Sequence, residues 1–321
     1  MTVRTPEWKG YWAASPTPFG TDGSIETEWL NETIRYFLSQ GVHGLLINGS
    51  SGEWFSQSIA ERQAVAKAAV RAVGESVPVV IGCTALQPRE VTELADHAQS
   101  IGADGILVSP PPYLRLSQDD VVAFFEFITD ATPMPVMVYN IPRRSGTAIA
   151  AATARRLAGI KGVVALKNSA PDSDFFPTLE LVAEQILVFG GNLFSPNGLS
   201  EIATGRGSGY IGGWELLGSK LPGVFEAAWR GDLKAAQRLA AEERALDAQL
   251  WDERKNPKFG RSFNAQLKAA LKLLGVPAGV PRRPLLPLDD DPAVRTLAEV
   301  LGCAGIKLAR AATLARSPNC N

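Results

Sequence analysis

An apolar run closes on a lysine in the stretch Gly162-Val163-Val164-Ala165-Leu166-Lys167-Asn168-Ser169. A short apolar run bounded by turn residues is typical of a buried strand, and two of the four apolar residues here are β-branched. Lysine is costly to bury as an ammonium. At the end of a strand that opens into a pocket, desolvation favours the neutral amine, which is a nucleophile towards carbonyl groups. The structural alternative is a lysine whose ammonium reaches solvent beside the strand end.

Runs of the same kind recur on both sides of this stretch, separated by helical patterns. A first strand is predicted at Trp12–Phe19, with a proline-marked exit. The other strand centres fall at steps of roughly 23 to 33 residues, near Ile47, Val80, Val108, Val138, Ala165, Val188 and Ile211. Eight strands that alternate with helices at about 30 residues per unit predict a (β/α)8 barrel. A doubly wound sheet is the alternative, but no G-x-G-x-x-G follows the first strand.

The helical segments carry recognisable start and stop signals. Ser58 stands three residues before Glu61, which predicts a capping box, and Gly74 is placed to end that helix. Ser117, followed by acidic residues, opens the helix after the fourth strand. Helices are also predicted beyond the barrel, at Leu233–Leu250, Asn264–Leu274 and Asp289–Leu301.

These patterns predict an α/β fold, a (β/α)8 TIM barrel with additional C-terminal helices. We expect the barrel to span residues 1–225 and a C-terminal helical region, packed on the barrel, to span residues 226–305. The tail at residues 306–321 is short and ends in polar residues, so it is expected to be frayed.

The overall composition argues against several functional classes. The formal net charge is -1 and charged residues make up 20% of the chain, so nothing indicates binding to nucleic acid or to an anionic membrane. The N-terminal residues Met1–Pro6 lack the apolar core of a signal peptide. Nowhere does an apolar run approach the roughly 20 residues needed to span a bilayer.

The cysteines and histidines are few and widely separated. Cys83, Cys303 and Cys320 show no close pairing, which predicts no disulfide framework and a reducing, cytoplasmic location. His43 and His97 do not stand in a metal-ligand spacing, so no metal site is expected. Serine hydrolase chemistry would need a G-x-S-x-G motif, which is missing from the sequence.

Reactive and hydrogen-bonding residues stand where four predicted strands end, and catalytic groups of such barrels gather at these ends. Gly49–Glu53, which reads G-S-S-G-E, follows the second strand; Tyr113 follows the fourth, Tyr139 ends the fifth and Lys167 ends the sixth. The backbone N–H groups and hydroxyls of the G-S-S-G-E loop suit a carboxylate, and the tyrosines suit proton transfer. Each feature also has a structural explanation, as a helix-entry loop, a surface aromatic or a tethered core tyrosine. Their combination predicts one active site.

These motifs resemble those of a known family. The ordered set G-S-S-G-E, P-P-Y, Y-N-I-P-x-x-S-G and a lysine that closes an apolar strand is similar to the dihydrodipicolinate synthase/N-acetylneuraminate lyase family. The resemblance covers roughly Gly10–Leu288. It implies a (β/α)8 barrel with C-terminal helices, assembled as a homo-oligomer, a dimer or usually a tetramer. It also implies a lysine Schiff base with pyruvate or another 2-oxo acid, and no metal or organic cofactor.

The resemblance also implies a role for individual residues. Lys167 is the Schiff-base lysine, and Tyr139 is the proton-shuttling tyrosine. Ser50 and Ser51, with the backbone from Gly49, bind the keto-acid carboxylate and relay protons. The remaining predicted site residues are a tyrosine that reaches a partner subunit's site, an arginine for the second substrate's carboxylate and two backbone positions of the pyruvate pocket, namely Tyr113, Arg144, Gly191 and Ile211.

Some positions depart from the family pattern. Ser50 replaces the usual threonine, which keeps the hydroxyl but loses the methyl that restricts its rotamer. Trp54 and Phe55 resemble the bulky pair of keto-deoxyglucarate dehydratases, as does Pro-Tyr-Leu at the Tyr113 motif. The Y-N-I-P motif with Arg144 resembles a synthase or a lyase instead. This mixture indicates a specialised branch outside lysine biosynthesis.

The sequence therefore predicts a class I, Schiff-base lyase that activates a 2-oxo acid for aldol addition, cleavage or dehydration. Two enzymatic alternatives remain, namely 4-hydroxy-tetrahydrodipicolinate synthase and a sugar-acid dehydratase or aldolase. A protein of another class, a keto-acid-binding sensor on the same barrel, is a further alternative. A phosphate-handling barrel is less favoured, although Gly190-Gly191 and Gly212-Gly213 partly fit its glycine-rich loops.

Overall fold

The computed structural model of the protein describes residues 6–212, 218–250 and 259–309. Within them, parallel strands pair in chain order and close into a barrel: β1 (Gly10–Ala14), β2 (Gly44–Ile47), β3 (Val79–Gly82), β4 (Gly105–Val108), β5 (Val136–Asn140), β6 (Val163–Asn168), β7 (Leu187–Phe189) and β8 (Gly209–Gly212). β1 pairs with both β2 and β8, so the barrel has no open edge. The predicted (β/α)8 fold is confirmed.

Helices follow the strands and continue beyond the barrel. They are α1 (Thr27–Ser39), α2 (Ile59–Val73), α3 (Pro88–Ser100), α4 (Gln118–Ala131), α5 (Pro142–Ser145), α6 (Ala151–Ala158), α7 (Asp172–Val182), α8 (Pro196–Ala203), α9 (Lys220–Trp229), α10 (Leu233–Leu250), α11 (Phe263–Leu273) and α12 (Asp291–Cys303). Short 3₁₀ helices at Trp54–Ser56 and Gly191–Phe194 lie in the loops after β2 and β7.

The first strand begins and ends earlier than the sequence predicts. β1 ends at Ala14, two residues before Pro16. Proline has no amide hydrogen to donate to a neighbouring strand, so the segment with Pro16 and Pro18 leaves the sheet. The proline-marked exit was thus identified correctly, but the strand lies on its N-terminal side.

Two apolar layers hold the barrel together. Side chains that alternate along the strands point either into the barrel or outwards to the helices. The inner layer contains Trp12, Leu46, Met137 and Phe189, all at most 1% exposed. Trp12 packs edge-to-face on Phe189, with ring centroids 5.6 Å apart. The barrel is therefore filled with side chains below its strand ends, as this fold requires.

The predicted capping signals form as expected. The Ser58 hydroxyl accepts the N–H of Glu61 at 3.2 Å, and the Glu61 carboxylate accepts the N–H of Ser58 at 2.8 Å. Ser117 and Asp120 form the same capping box at the start of α4. Gly74 caps the C-terminus of α2. The helix α5 was not predicted, because four residues are too few to show a helical period.

The C-terminal helices pack on the last barrel helices. α10 contacts α8, α9 and α12, and α11 contacts α12. The predicted boundary between residues 225 and 226 falls inside α9, and the division into two regions stays a prediction. In the predicted tail, the N–H of Ala309 donates to the carbonyl of Leu273 at 2.8 Å. Residues 310–321 lie outside the described residues.

The cysteines differ in state. Cys83 is a buried free thiol, and burial raises its pKa to about 12. Cys303 is disulfide-bonded, whereas the sequence led us to expect no disulfide framework. Separation along the chain does not reveal such a bond, because pairing depends on the distance between Cβ atoms in the fold. Across the described ranges, the helices lack the combination of length and apolar character that crossing a bilayer needs.

Candidate active site

A register shift between β5 and β6 sets the direction of Lys167. Val164 is bypassed, so Met137 lies opposite Ala165 and Tyr139 lies opposite Lys167. Val164 and Ala165 both belong to the inner layer, whereas strict alternation would turn one of them outwards. A bulge of this kind moves every later side chain to the other face of the strand. Lys167 therefore faces the barrel interior, on the same side as Tyr139.

Lys167 and Tyr139 are in direct contact at the carboxyl ends of their strands. The Nζ atom of Lys167 lies 4.4 Å from the centroid of the Tyr139 ring. Only 8% of Lys167 and 7% of Tyr139 is exposed. No carboxylate of the described chain forms an ion pair with Lys167. The amine is thus shielded from bulk water and covered by an aromatic ring.

Asn140 and Asn168 directly follow Tyr139 and Lys167 in the chain, and a hydrogen bond between them links the same two strand ends. The Nδ2 of Asn140 donates to the Oδ1 of Asn168 at 3.0 Å. The Oδ1 of Asn140 accepts the N–H of Ile149 at 3.0 Å, and the Oδ1 of Asn168 accepts the N–H of Ala170 at 3.2 Å. Sequence reasoning did not assign either asparagine to the site. The available signal was that an asparagine directly follows each predicted reactive residue.

A cavity of about 340 Å³ opens beside this pair. Four of the predicted residues line it, namely Gly49, Ser50, Tyr139 and Arg144. Lys167 is absent from the lining in the described part of the protein, and it meets the cavity wall through Tyr139. The volume falls within the range of small-molecule sites.

The aromatic pair predicted to distinguish this chain also lies in the cavity wall. Trp54 and Phe55 line the cavity from the 3₁₀ helix after β2, and Phe55 is 46% exposed. The guanidinium of the buried Arg62 lies 5.2 Å from the centroid of the Trp54 ring. These rings make one wall of the cavity apolar, opposite in character to the serine loop and Arg144.

Arg144 brings a positive charge to the rim of the cavity. It lies on the short helix α5 and keeps contact with solvent. Partial removal of the guanidinium from water lowers the pKa of Arg144, attraction to Tyr139 opposes this effect, and repulsion from Arg143 adds to it. Arginine stays charged at neutral pH. The cavity therefore holds a fixed cation whose planar fork suits a carboxylate.

Left-handed backbone stands on both sides of the turn formed by Gly49–Glu53, which we call the serine loop. Asn48, just before it, and Glu53, its last residue, both have φ of 55°. Asparagine tolerates this conformation well, whereas glutamate adopts it rarely. Ser50 lines the cavity, and Ser51 is 7% exposed. The loop thus has a defined turn geometry that presents one serine to the cavity and buries the next.

Besides Lys167 and Ser51, three further predicted residues do not line the cavity of the described chain. Tyr113 is 93% exposed and has φ of 81°. Gly191 begins the 3₁₀ helix after β7 and is exposed, whereas Ile211 is 2% exposed in the inner layer. The pocket roles of Gly191 and Ile211 and the partner-site role of Tyr113 stay predictions.

Hydroxyl and amide groups that were not predicted complete the polar wall. Thr84 and Ser109 follow β3 and β4, and the Thr84 hydroxyl accepts the N–H of Ser109 at 2.9 Å. Asn48 follows β2, and its buried Oδ1 has no hydrogen-bond partner among the described residues. The signal for all three was a polar residue within two positions of the end of an apolar strand, where sites of this fold gather.

The chain is similar to one protein family along nearly its whole length. The model of the Dihydrodipicolinate synthetase family matches residues 7–301. A 4-hydroxy-tetrahydrodipicolinate synthase from Acidothermus cellulolyticus is 33% identical over 297 residues, which cover 91% of each chain. An uncharacterised lyase of Rhizobium meliloti is 30% identical over 293 residues, 90% of this chain and 94% of the relative.

Solved structures give the same result. A dihydrodipicolinate synthase from Acinetobacter baumannii, complexed with pyruvate, superposes with a TM-score of 0.83 at 26% identity, covering 93% of this chain and 99% of the other. A prophage protein of the dihydrodipicolinic acid synthase family from E. coli K12, also in complex with pyruvate, gives the same TM-score, identity and coverage. The chain therefore belongs to the dihydrodipicolinate synthetase family, and it is a lyase of that family.

Proposed function

We propose that the protein is a class I, Schiff-base lyase that activates pyruvate or a related 2-oxo acid on Lys167. The observation that carries this proposal is the contact between Lys167 and Tyr139 beside a cavity that Ser50 and Arg144 line. The pyruvate complexes of the two similar structures support a 2-oxo acid as the substrate.

The proposed reaction begins at the amine of Lys167. The neutral amine attacks the ketone carbon, a carbon–nitrogen bond forms, and the ketone oxygen takes up a proton to give a carbinolamine. Tyr139, with Ser50 as relay, moves protons while the carbinolamine loses water and becomes an iminium. The iminium withdraws electrons from the adjacent carbon. That carbon can then lose a proton, which gives an enamine that forms a bond to an aldehyde carbon; cleavage is the reverse of this addition. When the next carbon carries a hydroxyl, the enamine can instead expel that hydroxyl, which leaves as water.

The charges of the cavity indicate how substrates are held. The serine loop supplies hydroxyl and backbone donors for the carboxylate of the 2-oxo acid. Arg144 is suited to a second, distal carboxylate, since its planar fork can donate two parallel hydrogen bonds. The aldehyde partner or the longer 2-oxo acid would therefore carry a carboxylate at its far end.

Two substrate assignments remain in competition. A 4-hydroxy-tetrahydrodipicolinate synthase would join pyruvate to an aldehyde with a distal carboxylate, and the relative from Acidothermus cellulolyticus has that name. A sugar-acid dehydratase or aldolase would act on a longer 2-oxo acid, and the bulky Trp54–Phe55 wall favours this branch. A keto-acid-binding protein without turnover is the alternative of another class.

The proposed Schiff base can be trapped chemically. The protein is incubated with pyruvate and borohydride, its intact mass is measured, and the modified peptide is mapped. We expect one reduced pyruvate adduct on Lys167. Lys167→Ala should remove both the adduct and the activity, whereas Lys161→Ala, at an exposed lysine just before the same strand, should retain both.

The outcome of trapping also separates the alternatives. An adduct with a longer 2-oxo sugar acid but not with pyruvate would favour the dehydratase or aldolase. Absence of any adduct with pyruvate and with longer 2-oxo acids would contradict the Schiff-base proposal and favour a binding protein. An adduct mapped to another lysine, surviving in Lys167→Ala, would show that the catalytic residue is assigned wrongly.

We also propose that the protein is a homo-oligomer, a dimer or a tetramer, and that it acts in the cytoplasm. The exposure of Tyr113 supports the first part, because an exposed tyrosine beside the site can enter a partner subunit's site. The sparse cysteines argued for the second part from sequence, although the disulfide at Cys303 weakens that argument.

A further inference from the structure

Helix α11 lies against the serine loop, and one side chain of the helix contacts two successive peptides of that loop. The Nδ2 of Asn264 donates to the carbonyl of Ser50 at 2.9 Å and to the carbonyl of Ser51 at 3.0 Å. Asn264 is 3% exposed. Both hydrogens of its amide are therefore used to hold the backbone of the loop, more than 200 residues away in the chain.

Because peptides are planar, the contacts of Asn264 with two carbonyls also set the direction of the N–H groups of the following residues. In a trans peptide, the carbonyl of one residue and the N–H of the next point in opposite directions. By holding the carbonyls of Ser50 and Ser51, Asn264 turns the N–H groups of Ser51 and Gly52 away from α11. Neither N–H donates a hydrogen bond within the described part of the chain. Two adjacent donors that lack acceptors are what an anion-binding turn presents to a carboxylate.

A second residue of the same helix holds the end of the loop. The Nζ of Lys268 lies 2.6 Å from the Oε1 of Glu53, with 1% and 0% of the two side chains exposed. Lys268 also donates to the carbonyl of Val280 at 2.9 Å, and the second Glu53 oxygen accepts the N–H of Arg282 at 2.9 Å. Lys268 follows Asn264 by four residues, which places both on one face of α11.

The buried pair of Lys268 and Glu53 contributes little net stability, because both charges lose their hydration when they are buried. Burial lowers the pKa of Lys268 to about 8, and burial raises the pKa of Glu53. Replacement of such a buried pair by apolar residues is often neutral or stabilising. The pair instead fixes the position of Glu53, the last residue of the serine loop, which has left-handed backbone. The charges anchor that strained residue to one place on α11.

We propose that Asn264 and Lys268 are positioning residues of the active site, which hold the serine loop so that its free N–H groups and Ser50 meet the carboxylate of the 2-oxo acid. This inference rests on the proposed function. It makes α11, outside the barrel, a determinant of 2-oxo acid affinity. Neither residue touches the reacting atoms, so both act through the loop.

The test compares two buried amides on the same helix. Asn264→Leu removes the contacts to the serine loop, and Gln266→Leu removes a buried amide that donates instead to the carbonyl of Leu250 at 3.3 Å. For each variant, the pyruvate concentration that gives half-maximal borohydride trapping is measured together with the urea midpoint of unfolding. If Asn264→Leu does not fold, Asn264→Ser takes its place, because serine is too short to reach both carbonyls.

We expect Asn264→Leu to raise the half-maximal pyruvate concentration about tenfold, the effect of about one net hydrogen bond. Gln266→Leu should lower the unfolding midpoint and leave the half-maximal concentration unchanged. Equal half-maximal concentrations in Asn264→Leu and wild type would overturn the inference. Absence of trapping in the wild type would instead overturn the proposed function, and the inference with it.

A double variant separates positioning from stability at the ion pair. Glu53→Gln and Lys268→Met each leave one buried partner alone, whereas the double variant removes both charges and should recover stability relative to the singles. We expect its half-maximal pyruvate concentration to stay raised, because the anchor is still missing. Lys268→Arg keeps the charge and the hydrogen-bond donors, so its half-maximal pyruvate concentration should stay closer to that of the wild type than that of Lys268→Met. Recovery of wild-type affinity in the double variant would show a purely structural role.

Discussion

At the residue scale, the ring and the hydroxyl of Tyr139 have separable functions. The ring covers the Lys167 amine, whose Nζ lies 4.4 Å from the ring centroid, and helps to shield it from bulk water. The hydroxyl belongs to the proton relay that we propose for the formation of the iminium. Substitution by phenylalanine removes the second function and retains the first.

We expect Tyr139→Phe to lower kcat by about 10²- to 10⁴-fold, the range of a lost general acid–base group. The substitution keeps the packing in the inner layer, so the thermal midpoint should change little. Steady-state kinetics and calorimetry measure the two quantities. A variant with near-normal kcat would show that the protons reach Lys167 by another route.

At the scale of secondary structure elements, Arg282 links the start of α2 to the segment after α11. Its guanidinium forms an ion pair with Glu61 at 2.8 Å and donates to the carbonyl of Ser56 at 2.8 Å. It also lies 4.3 Å from the centroid of the Phe19 ring. The Glu61 carboxylate therefore has partners on two segments, the N–H of Ser58 at the start of its own helix and the guanidinium of Arg282 in the C-terminal segment.

This link predicts a measurable dependence of stability on pH. Hydrogen bonds from Arg282 hold the pKa of Glu61 at about 2, below its ordinary value of 4.5. Between these values the unfolded chain binds the proton and the folded protein does not, so the free energy of unfolding falls as the pH decreases. Glu61→Gln keeps the capping geometry but cannot ionise.

Urea unfolding of the wild type and of Glu61→Gln at about pH 5 and about pH 3 measures this effect. We expect the variant to be less stable at the higher pH and to lose less stability on acidification. If both proteins lose the same free energy of unfolding, the Glu61–Arg282 pair does not contribute in solution.

At the scale of the whole molecule, the loop after β4 combines exposed apolar side chains with strained backbone. Tyr113 is 93% exposed with φ of 81°, and the next residue, Leu114, is 49% exposed. Non-glycine residues with such backbone cost about 1–3 kcal/mol and persist where the surroundings over-determine them. Contact with a second copy of the chain would supply those surroundings.

Sedimentation over a range of protein concentrations tests this prediction. We expect the wild type to be a dimer or a tetramer. Leu114→Arg should weaken the association, because it places a charge in the contact, and its activity per mole of chain should fall on dilution. A wild-type protein that is monomeric and fully active at all concentrations would contradict both the oligomer and the role of Tyr113.

Much of the fold and part of the site were predictable from local patterns. Strand spacing near 30 residues, the capping pairs and the lysine that closes an apolar run are all properties of short segments, and the structure bears them out. Thr84, Ser109, Asn140 and Asn168 were missed because single polar residues after strands are common. Their significance appears only when the strand ends meet around one cavity.

The sequence by itself determined that the chain is an eight-unit barrel with Lys167 at a strand end, since periodic burial and turn residues act locally. Only the tertiary structure decided which way that lysine points. Strict alternation from Val164 would turn Lys167 outwards, but the extra residue opposite β5 reverses the face. Likewise, no local pattern joins Asn264 and Lys268 to the serine loop, because hydrogen bonds and ion pairs between distant segments exist only after the barrel has closed and α11 has packed.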